Sequence, residues 1–162
     1  MAGVDFENTE VCAMITDGEE AGLRGCKSWA KNHYDEYVNS GVETVVLCVD
    51  TLTDREYLRV YNKDMTGTVK NNQQFSQLVM DASKDAGHDD IELSSVFFGS
   101  SDAAAFSQAG ITATCLAAMD PRPADYYHNR RDTADRLVPE TIKTGFDVII
   151  STILNFDEKG LN

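Results

Sequence analysis

Apolar runs rich in β-branched residues alternate with longer amphipathic stretches along the whole chain, and this alternation constrains the fold more than any other feature. Short buried runs separated by helical patterns build units in which strands lie side by side and helices cover the sheet. The expected architecture is therefore α/β, a three-layer sandwich around a mainly parallel sheet. Residues 10–16 read as a first buried strand and 43–50 as the next. Between them, residues 21–39 carry Leu23, Trp29, Ala30 and Val38 among polar neighbours, a helix stopped by Ser40-Gly41. Residues 58–61 read as a short strand or edge segment. A helix over 71–86 places Phe75, Leu78, Val79 and Ala82 on one face, and Gly87 closes it. Strands over 91–98 and 112–118 flank a short helix over 101–109 with Ser101 or Asp102 near its N-cap. A last helix starts near Val138-Pro139-Glu140 and runs to about Phe156, since Pro suits a first helical turn.

A length of 162 residues fits one domain over 1–162, without repeat or linker, and 42% hydrophobic residues are enough for a core. The formal charge of −13 repels phosphate backbones and anionic headgroups, so nucleic acid and membrane surfaces are poor partners, while cations suit the chain. No apolar stretch approaches the ~20 residues of a membrane span, and Met1 to Asp5 have neither a basic nor an apolar leader region. Cys12, Cys26, Cys48 and Cys115 show no C-x-x-C spacing, and they read as buried thiols rather than a zinc cluster or disulfide framework.

Open parallel sheets bind ligands beyond the carboxyl ends of their strands. Three chemically interesting clusters fall at such ends: Asp17-Gly18-Glu19-Glu20, Asp50, and the loop over 119–135 that carries Asp125-Tyr126-Tyr127-His128-Asn129-Arg130-Arg131-Asp132 along with Pro121 and Pro123. Adjacent carboxylates can divide labour, one holding a divalent cation while the other takes a proton from the water that cation acidifies. Each residue also has a plainer explanation. Glu19-Glu20 would complement the dipole of a starting helix, Asp50 would cap a turn, and His128 would be a hydrogen-bonded packing residue in a Tyr-rich loop. His33 and His88 read as solvated surface residues.

The segment Asp17-Gly18-Glu19-Glu20-Ala21-Gly22-Leu23-Arg24-Gly25 resembles the Glu-Glu-x-Gly-Leu-x-Gly block of the co-catalytic zinc aminopeptidases, the family of bacterial leucyl aminopeptidase and aminopeptidase Y. Strand-ending Asp50, Ser101-Asp102 with Phe106 and Gly110-Ile111 beyond it, and Tyr127-His128 followed by Asp132-Thr133 are similar to the later blocks of that family, in the same order. The resemblance makes Glu19 the general base, Glu20 and His128 ligands of one zinc, Asp50 a ligand of the other, and Asp102 a candidate for hydrogen bonding behind them. It implies a zinc exopeptidase fold and a peptide substrate with a free N-terminus.

The sequence departs from the family in ways that shape the expectation. The first ligand histidine and the bridging aspartate of the family lie upstream of its Glu-Glu block, and no histidine precedes Asp17 here. Phe98 stands where some members place an oxyanion-stabilising tyrosine, Ala103 where many have histidine, and Cys48 where asparagine is common. The chain is thus expected to be the C-terminal portion of a peptidase domain, truncated at the N-terminal side of its sheet. It is expected to be inactive alone, with zinc binding weak or absent although a complete site holds two ions. The exposed edge left at residues 10–16 implies a homo-oligomer. Two alternatives stand beside a zinc aminopeptidase: a non-catalytic peptidase-like binding module, and a single-zinc acyltransferase resembling glutaminyl cyclase. The sequence assigns no compartment.

Overall fold

The computed structural model describes residues 6–122 and 124–161, so the readings made of residues 1–5 and of Pro123 lie outside it. Its strands are β1 (Val45–Asp50), β2 (Leu58–Asp64), β3 (Val69–Lys70), β4 (Leu93–Ser95) and β5 (Thr112–Ala118). Its helices are α1 (Arg24–Tyr37), α2 (Gln73–Asp85), α3 (Asp102–Gln108) and α4 (Pro139–Lys159). The sheet is open, in the order β1-β5-β2-β3, with β4 also joined to β2. β1 and β5 are parallel, with Cys48 opposite Cys115, and β2 and β4 are parallel too. β2 runs against both β5 and β3. The pairing is therefore mixed within the expected three-layer α/β sandwich.

Alternation along the strands divides the core. Tyr61 of β2 and Ala113, Cys115 and Ala117 of β5 face α1 and α3, where they meet Cys26, Ala30 and the run Ala103, Ala104 and Ala105. Leu58, Val60, Leu116 and Ala118 point the other way, onto Phe75, Leu78 and Val79 of α2 and Val148 of α4. The helix starts are set locally. The Asn72 side chain accepts from the Phe75 N–H at 2.8 Å, Ser101 accepts from the Ala103 N–H at 3.2 Å, and Pro139 occupies the first turn of α4. No helix among the described residues is long and apolar enough to cross a membrane.

Three elements differ from expectation. Residues 10–16 form no strand and are mostly exposed, with Ile15 at 99%. An extended run becomes a strand only when another backbone takes its hydrogen bonds, and no described strand pairs with residues 10–16 although β1 lies at the sheet edge. Cys12 is consequently exposed, whereas Cys26 and Cys115 are buried, and all four thiols are free. The segment at 58–61 is no edge: it extends to Asp64 as β2, flanked by β5 and β4, with Leu58 and Val60 fully buried. The strand expected over 91–98 shortens to β4. Residues 6–16 are instead moored at one end by Asp157 of α4, whose carboxylate accepts from the N–H groups of Glu7 at 3.0 Å and Asn8 at 2.8 Å.

Candidate active site

The turn before α1 is built from backbone. The N–H groups of Leu23, Arg24 and Gly25 donate to the carbonyls of Glu19, Gly18 and Asp17 at 2.7, 3.1 and 3.0 Å, which satisfies donors that a helix start leaves open. Two glycines permit this fold-back. Gly22 has a φ of +98°, and a Cβ on Gly25 would stand 2.4 Å from the Asp17 carbonyl oxygen. Because α1 begins only at Arg24, with no acidic residue in its first turn, dipole complementation does not account for Glu19 and Glu20.

Glu20 and His128 meet directly, the imidazole Nε2 lying 2.8 Å from the Glu20 carboxylate. His128 is half exposed and stacked on Tyr127 with ring centroids 3.8 Å apart. Its loop is held by Asp125, which pairs with Arg131 at 3.7 Å and Arg136 at 3.6 Å, and the Arg136 guanidinium lies over the Tyr126 ring. Asp50 ends β1, half-buried, and accepts from the Thr51 hydroxyl at 2.8 Å. Asp102 opens α3 and accepts from the Thr16 hydroxyl at 2.7 Å, while its other oxygen is buried without a partner.

These groups feel one another's charge. Burial pushes the Glu19 carboxyl up to about 7, and Glu20, Asp50 and Asp102 add to the rise, opposed by His128. The Asp50 carboxyl is raised by burial and by Asp102 and Glu20, against the Thr51 hydrogen bonds. The Tyr127 hydroxyl is also raised, by burial and then by Glu20, Glu19 and Asp50. Charge coupling groups Glu19, Glu20, Asp50, Asp102 and His128 as a candidate rim of four carboxylates and one imidazole, of which Glu20 is in contact with the imidazole. A dication would relieve that imbalance, and imidazole nitrogen with carboxylate oxygen is a zinc-type donor set. Among the described residues, no three His, Cys, Asp or Glu side chains close into a metal-holding group. The donors in contact are Glu20 and His128.

Strain accumulates at the same rim. Leu23, Thr51 and His128 have φ of 59°, 45° and 55°, a left-handed conformation that costs a non-glycine residue about 1–3 kcal/mol. Each adjoins or is a residue singled out from the sequence. Sequence reasoning did not find Thr16, whose hydroxyl ties the rim to Asp102, nor Asp64, which holds Ser101 from below. A lone threonine and an aspartate before a turn carry no pattern that would have marked them. His33 and His88 are paired, with Glu36 at 2.9 Å and Asp147 at 3.4 Å.

The model of the family described as Peptidase family M28 matches residues 3–153. No curated protein matches the chain in sequence. Among solved structures, a glutaminyl cyclase from an Acidobacteriales bacterium aligns over 85% of this chain and 47% of its own, at 17% identity and a TM-score of 0.66. The LapA aminopeptidase of Legionella pneumophila covers 89% of this chain and 38% of its own, at 15% identity and a TM-score of 0.69. BSAP, a zinc aminopeptidase from Bacillus subtilis, covers 85% and 33%, at 20% identity and a TM-score of 0.64. These likenesses show the fold, and the chain spans less than half the length of each.

Proposed function

The chain belongs to peptidase family M28, and on that footing we propose that its acidic rim serves the zinc-dependent release of N-terminal residues from peptides. Glu20 and His128 would hold one zinc, Asp50 would belong to a second, and Glu19 is the general base. Bound zinc would acidify water and polarise the scissile carbonyl. The chain's own residues supply the rest. Burial and neighbouring carboxylates raise the Glu19 carboxyl to about 7, near the pH at which a base takes and returns a proton. The fold-back turn holds Glu19 and Glu20 just before α1, with Glu19 the more buried of the two, and Tyr127 stacks on the His128 ring. The substrate class is a peptide with a free, cationic N-terminus, which suits a rim of four carboxylates.

One observation carries this reading: the 2.8 Å contact that brings Glu20 and His128 together from two distant motifs. Calorimetric zinc titration tests it. One weak equivalent is expected for this chain, lost in both Glu20→Gln and His128→Ala. No uptake by the unaltered chain, or uptake that neither substitution weakens, would overturn the assignment.

A second reading is a single-zinc acyltransferase similar to glutaminyl cyclase. It is supported by the fold neighbour of that activity and by the single donor pair in contact. Turnover of a peptide with N-terminal glutamine, without release from an aminoacyl anilide, would favour it.

A further inference from the structure

Asp64 is fully buried at the end of β2, and no lysine or arginine pairs with it among the described residues. A carboxylate taken out of water without a cation survives only if hydrogen-bond donors replace its hydration. Here they do. The Met65 N–H donates to Oδ1 at 2.7 Å, the Ser101 N–H at 2.9 Å and the Ser100 hydroxyl at 3.2 Å, while the Ser101 hydroxyl donates to Oδ2 at 2.6 Å. Of these four donors, three come from Ser100-Ser101, the residues that lead into Asp102.

The Ser101 hydroxyl has one proton and two lone pairs, and both roles are used. Its proton goes to Asp64, and its oxygen accepts from the Ala103 N–H at 3.2 Å to start α3. Asp64 therefore fixes the rotamer of the cap, and the cap fixes where α3 begins. Asp102 is the first residue of that helix, and it reaches up to the Thr16 hydroxyl at 2.7 Å. Thr16 precedes Asp17, whose carbonyl receives the Gly25 N–H in the turn that carries Glu19 and Glu20. A continuous chain of charge-assisted hydrogen bonds and short backbone links thus runs from a carboxylate on a central strand to the acidic pair at the rim.

We infer that Asp64 is a positioning residue for the rim, acting through Ser101, Asp102 and Thr16 to set the turn that presents Glu19 and Glu20. The functional half of this role rests on the zinc reading above, whereas the mechanical half does not. A filler of the core would stabilise the whole domain evenly. A positioning residue loosens one remote place when it is changed.

Amide hydrogen exchange separates the two. Asp64→Asn keeps the shape and one acceptor oxygen but turns a donor toward the Ser101 hydroxyl or N–H. Exchange at Leu23, Arg24 and Gly25 is expected to quicken about tenfold relative to Val79 and Ala82 of α2, and zinc affinity to fall about tenfold, the lower end for a lost support behind a ligand. Val148→Ala, on the opposite face of the sheet, is expected to change both sets of amides alike and leave zinc affinity unaltered. If Asp64→Asn does not fold, Ser101→Ala, which removes one donor only, is read in the same way. Even acceleration across both sets, or none at the turn, overturns the positioning role. Wild-type zinc affinity in the variant overturns its functional half. Absence of zinc uptake by the unaltered chain defeats the proposed function instead, and the exchange result still decides the part played by Asp64.

Discussion

Adding one methyl group at Gly25 puts the turn under test. The new Cβ would lie 2.4 Å from the Asp17 carbonyl oxygen, 3.0 Å from the Asp17 nitrogen and 3.3 Å from the Thr16 Cβ. Two of these neighbours are backbone, so the contact cannot be relieved by turning a flexible side chain, and α1 or residues 16–17 must move. Overpacking of this kind costs about 1–3 kcal/mol, and rigid neighbours place Gly25→Ala at the upper end. Moving the turn also loses the bond from the Gly25 N–H to the Asp17 carbonyl, about 1 kcal/mol. Alanine returns about 0.8–1 kcal/mol through its better helix propensity. The net loss is about 3 kcal/mol, which for a domain of this size lowers Tm by roughly 6–12 °C. Urea and thermal unfolding read it directly. A Gly25→Ala midpoint at or above that of the unaltered chain would refute the close approach, and with it the explanation of why this motif needs a second glycine.

Phe75→Ala empties the core between the sheet, α2 and α4, and is expected to cost about 3–5 kcal/mol in urea unfolding, where a loss below about 1 kcal/mol would show that the site collapses. Asp157→Asn should free residues 7 and 8, seen as faster exchange of their amides. The Glu7 and Asn8 N–H bonds hold the Asp157 carboxyl below its ordinary value, so mooring is complete at pH above the usual carboxylate range and is lost as pH falls through the lowered value. Mooring that instead weakened on going from acid to neutral pH would contradict that sign. Residues 10–16, with no strand partner among the described residues and with Ile15 exposed, are expected to drive self-association that salt strengthens by screening the charge of −13, and a monomer by light scattering at high concentration and high salt would count against it.

The sequence was most legible where one face of an element is apolar over its whole length. Residues 112–118 were expected as a strand and are β5 to the residue, and the starts of α3 and α4 followed from a serine cap and a proline. It was least legible where structure depends on a partner. Residues 10–16 have a strand's composition, but composition does not supply the second backbone that a ladder needs. β2 read as a short edge because its later residues, Asn62, Lys63 and Asp64, are polar, and nothing local says that Asp64 is buried among donors from residues 100 and 101. The rim was legible in its cast but not in its contacts. Motif order placed Glu20, Asp50 and His128 at element ends, yet only three-dimensional pairing shows that His128 reaches Glu20 while Asp50 turns to its own neighbour Thr51.

The two faces of the sheet should also age differently as sequences diverge. Toward α1 and α3 a patch of small residues, Ala103, Ala104 and Ala105 near Ala113 and Ala117, sits among larger buried side chains such as Tyr61, Phe106 and Ile111. A larger residue there has nowhere to go, and the sole smaller one, glycine, weakens helix and strand alike. Toward α2 and α4 the layer is Phe, Leu, Val and Met, where exchanges that conserve volume are cheap. Neutral drift, and any laboratory library meant to keep the domain folded, should therefore collect its changes on the α2 and α4 side. The alanine patch, beside Asp102, should accept few, and the lineage would keep its rim geometry even as the other face of its core is rewritten.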